Sequence, residues 1–143
     1  YLIYRQERES FMKKLVFIEG VSGVGKTSVT KKLYENPDLT RDFYHALTGW
    51  EKREAYGCPA VVSDSGLVIL FMGCDFDYTS SVWLEEPDKQ QKQMHFNFQV
   101  NDLPAAVEEA IKLGATKATA QYGGDHFITM FDPEGHPFCL CKK

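Results

Sequence analysis

The stretch "QMHFNFQVNDLPAAVEEAIKLGATK", residues 93–117, predicts a strand, an amphipathic helix and a second strand in succession. Polar and apolar residues alternate between His95 and Val100, which is the period of a strand with one buried face. Asp102 is suited to begin the helix as its N-cap, and Gly114 is suited to end it. Two further strand-like runs, "HFITMF" and "PFCLCKK", flank the turn sequence "DPEG". The stretch therefore begins a β-α-β-β-β unit.

The same order of elements occurs earlier in the chain. The sequence "PDLTRDFYHALTGWE", residues 37–51, predicts a helix that begins at Asp38 and ends at Gly49. Three strand-like runs follow it, "WEKREAY", "PAVVSDS" and "GLVILFMG". If a strand precedes this helix too, the sequence predicts an α+β fold of two βαβββ repeats, about residues 12–84 and 92–143, whose curved mixed sheets form a cup.

Composition describes a single globular domain. The chain has 143 residues, enough for one domain with a core. A formal net charge of −4 provides no basic field for nucleic acid or an anionic membrane, and neither partner is expected. No apolar run approaches the roughly 20 residues that span a bilayer. Four cysteines are few for a disulfide scaffold, so a cytoplasmic location with reduced thiols is expected.

A different motif stands in front of these units. The sequence "GVSGVGKT", which begins at Gly20, matches the phosphate-binding pattern G-x-x-x-x-G-K-[ST]. In that pattern the backbone between Gly20 and Gly25 surrounds a phosphate. Lys26 would reach the outer phosphates, and Thr27 would hold a magnesium ion. With "KLVFIE" as a strand before it and "TSVTKKLYE" as a helix after it, the segment resembles the opening of a P-loop nucleotide kinase.

The rest of the chain does not continue as a kinase, because no further strands, metal-binding carboxylate or acceptor region follow in a βαβ rhythm. Residues 12–35 are therefore interpreted as a fragment that supplies the first strand of the domain at 36–143, and residues 1–11 as an extension. Nucleotide binding is kept as an alternative, and ATP with magnesium is not expected. Two segments compete for the first strand: "KLVFIE", which strand propensity favours, and "SVTKKLYE", which lies directly before the helix. The first is preferred.

Three phrases, "DLTRDFYHALTGWE", "YTSSVWLEEPDKQQKQMHFNFQVNDLPAAVEEAIKLGATK" and "FDPEGHPFCLC", carry a family resemblance. Over about residues 36–141 the chain resembles the vicinal oxygen chelate superfamily of glyoxalase, bleomycin-resistance and extradiol-dioxygenase proteins, and within it the glyoxalase-like subgroup. The resemblance implies a small organic ligand in the cup, a homodimer, and in some members lyase or isomerase activity.

The resemblance also implies a metal site in catalytic members, with one ligand from the first and one from the last strand of each repeat. His95 stands at the first-strand position of the second repeat, and Cys139 stands where a carboxylate is expected on the last strand. The first repeat offers only Leu70 and Phe71 on its last strand and no histidine on its first. The ligand set is incomplete, so a divalent metal at His95 and metal-dependent lyase chemistry form the alternative to metal-free ligand binding.

Alternation along "HFNFQV" places one polar face toward the cup and the phenylalanine face against a helix. The candidate ligand-binding residues are the polar side chains of this strand together with aromatic and thiol groups expected near the cup: His95, Asn97, Gln99, Phe71, Trp83, Tyr122 and Cys139. Core packing or a dimer interface accounts for the aromatic residues equally well, and a buried cysteine often serves as a small apolar side chain.

Overall fold

The computed structural model describes residues 12–20, 29–34, 36–73, 79, 81–84, 86–92 and 94–143. In this part of the chain, nine strands and two helices follow one another in an α+β arrangement. In chain order they are β1 (Met12–Gly20), β2 (Val29–Tyr34), α1 (Pro37–Thr48), β3 (Glu51–Ala55), β4 (Cys58–Val62), β5 (Val68–Gly73), β6 (Met94–Val100), α2 (Leu103–Lys112), β7 (Thr116–Lys117), β8 (Phe127–Phe131) and β9 (Pro137–Lys142).

Local signals account for both ends of helix α1. The side chain of Asn36 accepts a hydrogen bond from the Leu39 backbone N–H at 3.0 Å, so Asn36 is the N-cap and Asp38 lies within the first turn. Pro37 occupies the first helical position, where a missing N–H is harmless. Gly49 ends the helix in the left-handed conformation, with φ at 72°.

Helix α2 has the same type of beginning. The Asp102 carboxylate accepts a hydrogen bond from the Ala105 backbone N–H at 3.0 Å, as predicted for its N-cap. Leu103, Ala106 and Ala110 form the buried stripe of the helix. Neither helix in the described part of the chain is long and apolar enough to cross a bilayer.

The strands form two mixed sheets with the same internal order. One sheet has the order β2-β5-β4-β3, and the other has β6-β9-β8-β7 with β1 added beside β6. In each sheet the strand before the helix runs parallel to the last strand of its unit. Helix α1 packs on β3, β4 and β5, and helix α2 packs on β7, β8 and β9.

The strand before α1 corrects the preferred prediction. Val29–Tyr34, within "SVTKKLYE", pairs in parallel with β5 from Val68 to Gly73 and takes the first-strand position. The segment that contains "KLVFIE" forms β1 instead, antiparallel to β6 at the edge of the other sheet. The helix predicted over "TSVTKKLYE" is therefore wrong. Strand pairing explains the outcome, since Val29 and Thr30 are β-branched and the open edge of β5 supplies backbone partners for the whole segment.

Tyr44 of helix α1 joins the cores of the two sheets. Its ring is fully buried and stacks on Phe71 of the first sheet, with centroids 5.5 Å apart. It also meets Phe96 and Phe138 of the second sheet edge-on, at 5.9 and 6.3 Å. One hydrophobic core therefore stabilises both sheets.

Candidate functional site

Strand β6 has one apolar and one polar face, as the alternation predicted. Phe96 and Val100 are completely buried in the core on the helix side of the sheet. His95, Asn97 and Gln99 alternate with the buried residues and are half-buried. This arrangement follows from the pleat of a strand, because successive side chains point to opposite faces. The face opposite the helices is thus lined by imidazole and carboxamide groups.

Neighbouring strands extend this face. In the register of the sheet Asn97 pairs with Cys139 of β9, and Cys139 pairs with Thr129 of β8. Met130 and Phe138, which follow and precede these residues, belong to the core on the helix side, so Thr129 and Cys139 lie on the opposite side. We call His95, Asn97, Gln99, Thr129 and Cys139 the polar face.

Cys139 is a buried, hydrogen-bonded thiol. Only 2% of its surface is exposed, and its Sγ lies 3.5 Å from the Thr129 hydroxyl. Gln121 fixes the Thr129 backbone on both sides, because its amide donates to the Thr129 carbonyl and accepts from the Thr129 N–H, each at 2.9 Å. This rigid setting fits a packing role for the thiol within the polar face.

The structure brings Trp83 and His95 together. Their rings meet edge to face, with centroids 5.3 Å apart, at the start of β6. The segment that carries Trp83 is held by a bridge between Val82 and Gln91, and by a hydrogen bond from the Val82 N–H to the Gln90 carbonyl at 3.0 Å. Trp83 therefore lies beside the His95 end of the polar face.

Lys92 places a positive charge on the same cluster. Its ammonium lies 5.0 Å from the centroid of the Trp83 ring and donates a hydrogen bond to the Trp83 carbonyl at 2.8 Å. A cation over an indole ring is attracted by the electron-rich ring face. We call Trp83, Gln91, Lys92 and His95 the linker cluster, because three of its members lie in the connection between the two sheets.

The linker cluster also contains two buried polar atoms without a partner. Among the described residues no group accepts a hydrogen bond from the indole Nε1–H of Trp83, and none donates to Oε1 of Gln91. The amide nitrogen of Gln91 is already engaged by the carbonyls of Glu86 and Lys89, at 2.7 and 3.2 Å. Unpaired buried polar atoms are uncommon in folded proteins, and they are destabilising unless a ligand or water completes them.

Two predicted ligand-binding residues, Phe71 and Tyr122, lie outside both the polar face and the linker cluster. Phe71 is fully buried on the helix side of its sheet, stacked on Tyr44, because alternation along β5 places Ile69 and Phe71 on the face that packs against α1. Tyr122 is 65% exposed. The structure thus assigns Phe71 to the core and Tyr122 to the surface, whereas Trp83 meets His95.

The side chains present do not fit a divalent metal of the glyoxalase type. Strands β2 and β5 carry no His, Cys, Asp or Glu, and β6 and β9 contribute only His95, Cys139 and Cys141 to such a ligand set. No group of three or more His, Cys, Asp or Glu residues is placed to hold a metal in the part of the chain that the structure describes. An open catalytic site usually requires three protein ligands, and the described residues do not provide such a set.

Most of the predicted phosphate loop, residues 21–27, lies outside the residues that the structure describes. Gly20 is the last residue of β1, and Gly25, Lys26 and Thr27 lie outside the described residues. Strand β2 begins two residues after Thr27, where the phosphate-loop pattern requires a helix. Nucleotide binding gains no support from this arrangement.

Sequence reasoning missed Asp132 and Lys92. Asp132 is 3% exposed, and its carboxylate accepts hydrogen bonds from the Tyr44 hydroxyl and from the Glu134 and His136 backbone N–H groups, at 3.0, 3.0 and 2.9 Å. The turn "DPEG" identified Asp132 only as a turn residue. No local pattern in the sequence predicts the position of Lys92 over Trp83.

The arrangement of two mixed sheets and two helices is that of a glyoxalase-like domain. The family model for the glyoxalase-like domain matches residues 34–141, and the chain belongs to this family. The match begins at the end of β2 and ends within β9, so it covers α1, α2 and the strands between them. A comparison with curated protein sequences found no match.

Several solved structures share the fold of this chain at low sequence identity. A glyoxalase/bleomycin resistance protein/dioxygenase family enzyme from Burkholderia phytofirmans PsJN is 19% identical, with a TM-score of 0.58 over 80% of this chain and 96% of that chain. A glyoxalase-related enzyme from Fulvimarina pelagi is 13% identical, with a TM-score of 0.59 over 84% and 89%. A fosfomycin resistance protein from Listeria monocytogenes, complexed with Mn(II) and 1S,2S-dihydroxypropylphosphonic acid, is 17% identical, with a TM-score of 0.57 over 82% and 90%. At these identities the likeness establishes the fold.

Proposed function

We propose that this protein binds a small organic ligand over the polar face, in a cup formed by two βαβββ repeats. The observation that carries the proposal is the sidedness of β6, where half-buried His95, Asn97 and Gln99 alternate with buried apolar residues. Imidazole and carboxamide groups on a partly covered face can orient a ligand through hydrogen bonds in both directions.

The proposed repeats rest on the matching strand orders. Each sheet places its first strand parallel to its last, with the helix between the first strand and the other three. Two such units can face one another and leave a concave space between their sheets. We also propose that the protein is a homodimer in the cytoplasm. Both properties are proposed from the family resemblance.

The proposed binding involves no metal. The donor set of β2, β5, β6 and β9 lacks the carboxylates that an oxygen-rich divalent site requires. The ligand would therefore be held by hydrogen bonds and aromatic contacts, with His95 and Trp83 at one end of the face and Cys139 at its centre.

A ligand screen followed by nuclear magnetic resonance tests the proposal. A library of small carbonyl and aromatic compounds is added to isotope-labelled protein, and the signals of His95 and the side-chain amides of Asn97 and Gln99 are followed. We expect compounds that move these signals together and bind at least about tenfold more weakly to His95→Ala. His126→Ala is the matched control, because His126 is an exposed histidine.

The proposal fails if no compound moves the signals of the polar face, or if His95→Ala binds every hit as well as His126→Ala does. For the dimer, light scattering at micromolar concentration should give twice the chain mass of 16.3 kDa, and a monomer would remove that part of the proposal.

A further inference from the structure

An aromatic side chain borders the polar face at one of its ends. In the register of the sheet Gln99 pairs with Cys141 of β9, and Cys141 pairs with Phe127 of β8. Their chain neighbours Leu140 and Ile128 belong to the core or pack against it on the helix side, so Cys141 and Phe127 lie on the side of the polar face. We call Gln99, Cys141 and Phe127 the outer row.

The outer row is more open than the middle of the face. All three of its side chains are half-buried, whereas Cys139 and Thr129 beside them are 2% and 0% exposed. Neighbouring strands lie about 4.8 Å apart, so the backbones of Gln99 and Phe127 are about 10 Å apart across β9. This spacing leaves room for a single six-membered ring between the two side chains, above Cys141.

The Phe127 ring is held against the loop that follows β7. A Cβ added to Gly123 would lie 2.6 Å from Cγ of Phe127 and would also overlap the Phe127 carbonyl oxygen, so only glycine allows this close contact. Gln121 in the same loop is fixed by its two hydrogen bonds to the Thr129 backbone, each at 2.9 Å. The ring therefore has a defined position, and a fixed aromatic ring is a favourable contact for a flat ligand.

Asn97 and Gln99 bring available hydrogen-bonding groups to the same end of the face. Both side chains are half-buried, and neither carboxamide has a hydrogen-bond partner within the described part of the chain. A carboxamide offers an N–H donor beside a C=O acceptor. Asn and Gln use this pair of groups to form two parallel hydrogen bonds with adenine. The complementary ligand group is a ring amide, or lactam, in which an N–H and a C=O lie side by side.

We propose that the ligand of this protein carries a flat lactam ring, whose N–H and C=O pair with the Gln99 carboxamide while the ring lies over Cys141 against Phe127. The inference rests on the proposed function, because the rest of the same ligand would extend over the polar face past Asn97 toward His95. It adds a ligand class to that proposal, together with Cys141 and Phe127 as contact residues.

The test compares 2-pyridone, a flat lactam, with two molecules that each lack one of its features. N-methyl-2-pyridone has no N–H donor, and 2-piperidone carries the lactam group on a ring that is not aromatic. Each is titrated to about 10 mM against isotope-labelled protein, which detects millimolar dissociation constants. The readouts are the backbone amide signal of Cys141 and the side-chain amide signal of Gln99. We expect 2-pyridone to move both signals, and to bind about tenfold more tightly than N-methyl-2-pyridone and about threefold more tightly than 2-piperidone.

Two pairs of substitutions test the protein side, followed through the Cys141 amide. Gln99→Met keeps the side-chain length but removes both hydrogen-bonding groups, and should weaken 2-pyridone about tenfold. Gln90→Met, at an exposed glutamine outside the polar face, should change its affinity less than about twofold. Phe127→Leu should weaken 2-pyridone about threefold and leave 2-piperidone nearly unchanged. Phe131→Leu is its matched control, because Phe131 is the other half-buried phenylalanine of β8 and lies outside the outer row.

The outcomes separate the two proposals. The lactam inference is wrong, and the proposed function stands, if library compounds move the polar face while 2-pyridone does not. It is equally wrong if N-methyl-2-pyridone binds as tightly as 2-pyridone, if Gln99→Met binds 2-pyridone unchanged, or if Phe131→Leu weakens it as much as Phe127→Leu. If neither these three compounds nor the wider library moves any signal of the polar face, both proposals fail.

Discussion

The hydroxyl of Tyr44 donates a hydrogen bond of 3.0 Å to the buried carboxylate of Asp132, across 88 residues of sequence. Tyr44 lies on the helix of the first sheet, and Asp132 begins the turn between the last two strands of the second. The Asn36 backbone N–H at the start of the same helix also donates to the Glu134 carboxylate in that turn, at 2.9 Å. Together these bonds fix the orientation of one sheet relative to the turn of the other.

Removing the Tyr44 hydroxyl should therefore weaken the whole fold. Tyr44→Phe keeps the ring contacts but takes a donor from a carboxylate that is 3% exposed, and we expect the free energy of unfolding to fall by about 1–3 kcal/mol. Urea denaturation measures this change. Tyr122→Phe, at a 65% exposed tyrosine, is the control and should change stability by less than about 0.5 kcal/mol. Equal effects of the two substitutions would contradict the structural role of the bond.

Asp42 on helix α1 should make stability depend on acid pH. Burial raises the pKa of this carboxyl, but the hydrogen bonds from Arg41 and Lys52, at 2.9 and 3.3 Å, together with their positive charges, outweigh that effect and hold the pKa below its usual value of 3.8. A group with a lowered folded pKa stabilises the protein above its unfolded pKa, and this contribution disappears as the pH falls through the folded value.

Asp42→Asn should consequently cost about 0.2–1 kcal/mol near neutral pH, the range for exposed ion pairs, since the side chain of Asp42 is 50% exposed. The difference from the unsubstituted protein should shrink as the pH falls below 3.8 and through the lowered folded pKa, and it should also shrink in high salt. Urea denaturation at several pH values checks this. Asp125→Asn, at an exposed carboxylate for which the described residues form no ion pair, is the control. A deficit that persists in acid would mean that packing rather than charge is lost.

Gly49 should be required at the end of α1 because its backbone is left-handed, and not because a side chain there would clash with other atoms. Its φ is 72°, and a Cβ added there would meet no atom within 4 Å, so Gly49→Ala should lose about 1 kcal/mol of stability through backbone strain alone. Gly73→Ala is the matched case, because its Cβ would only touch Pro37 at 3.9 Å, an ordinary contact, and its φ is not in the left-handed region. Thermal unfolding should separate the two variants, and a neutral Gly49→Ala would contradict the assigned helix end.

Divalent metals should not bind this protein stoichiometrically. Titration with nickel and manganese, followed by elemental analysis after gel filtration, should leave less than one metal per chain, because the described residues contain no group of three or more His, Cys, Asp or Glu placed to hold a metal. His95→Ala and His126→Ala should then behave alike. One metal per chain that is lost only in His95→Ala would show that other parts of the protein complete a site, and metal-dependent lyase chemistry would become the leading function.

Much of the fold could be predicted where the signals are local. The sidedness of β6, the cap at Asp102 and the glycine that ends α1 each depend on residues within one or two turns of the chain, and all three are as predicted. The choice of first strand was wrong, because propensity favoured "KLVFIE" while strand pairing with β5 selected Val29–Tyr34. Nothing within a strand encodes which open edge it will join.

In the candidate site, too, the features set by local sequence could be predicted and those set by long-range contacts could not. Alternation along β6 identified His95, Asn97 and Gln99 as one face, whereas Phe71 was assigned to the ligand without knowledge of which face of β5 the helix would cover. Lys92 and the unpaired indole of Trp83 could not be predicted, since their meeting depends on how the linker folds back at Val82 and Gln91.

By itself the sequence determined the order of elements, the apolar and polar faces of β6, and the family to which the chain belongs. These properties rest on period, caps and turns, which act over a few residues. Only the tertiary structure decided which strand pairs with β5, that Tyr44 reaches Asp132, and that Trp83, Lys92 and His95 meet. Such contacts join residues distant in the chain or within an irregular loop, and their stability depends on burial and pairing that no short segment contains.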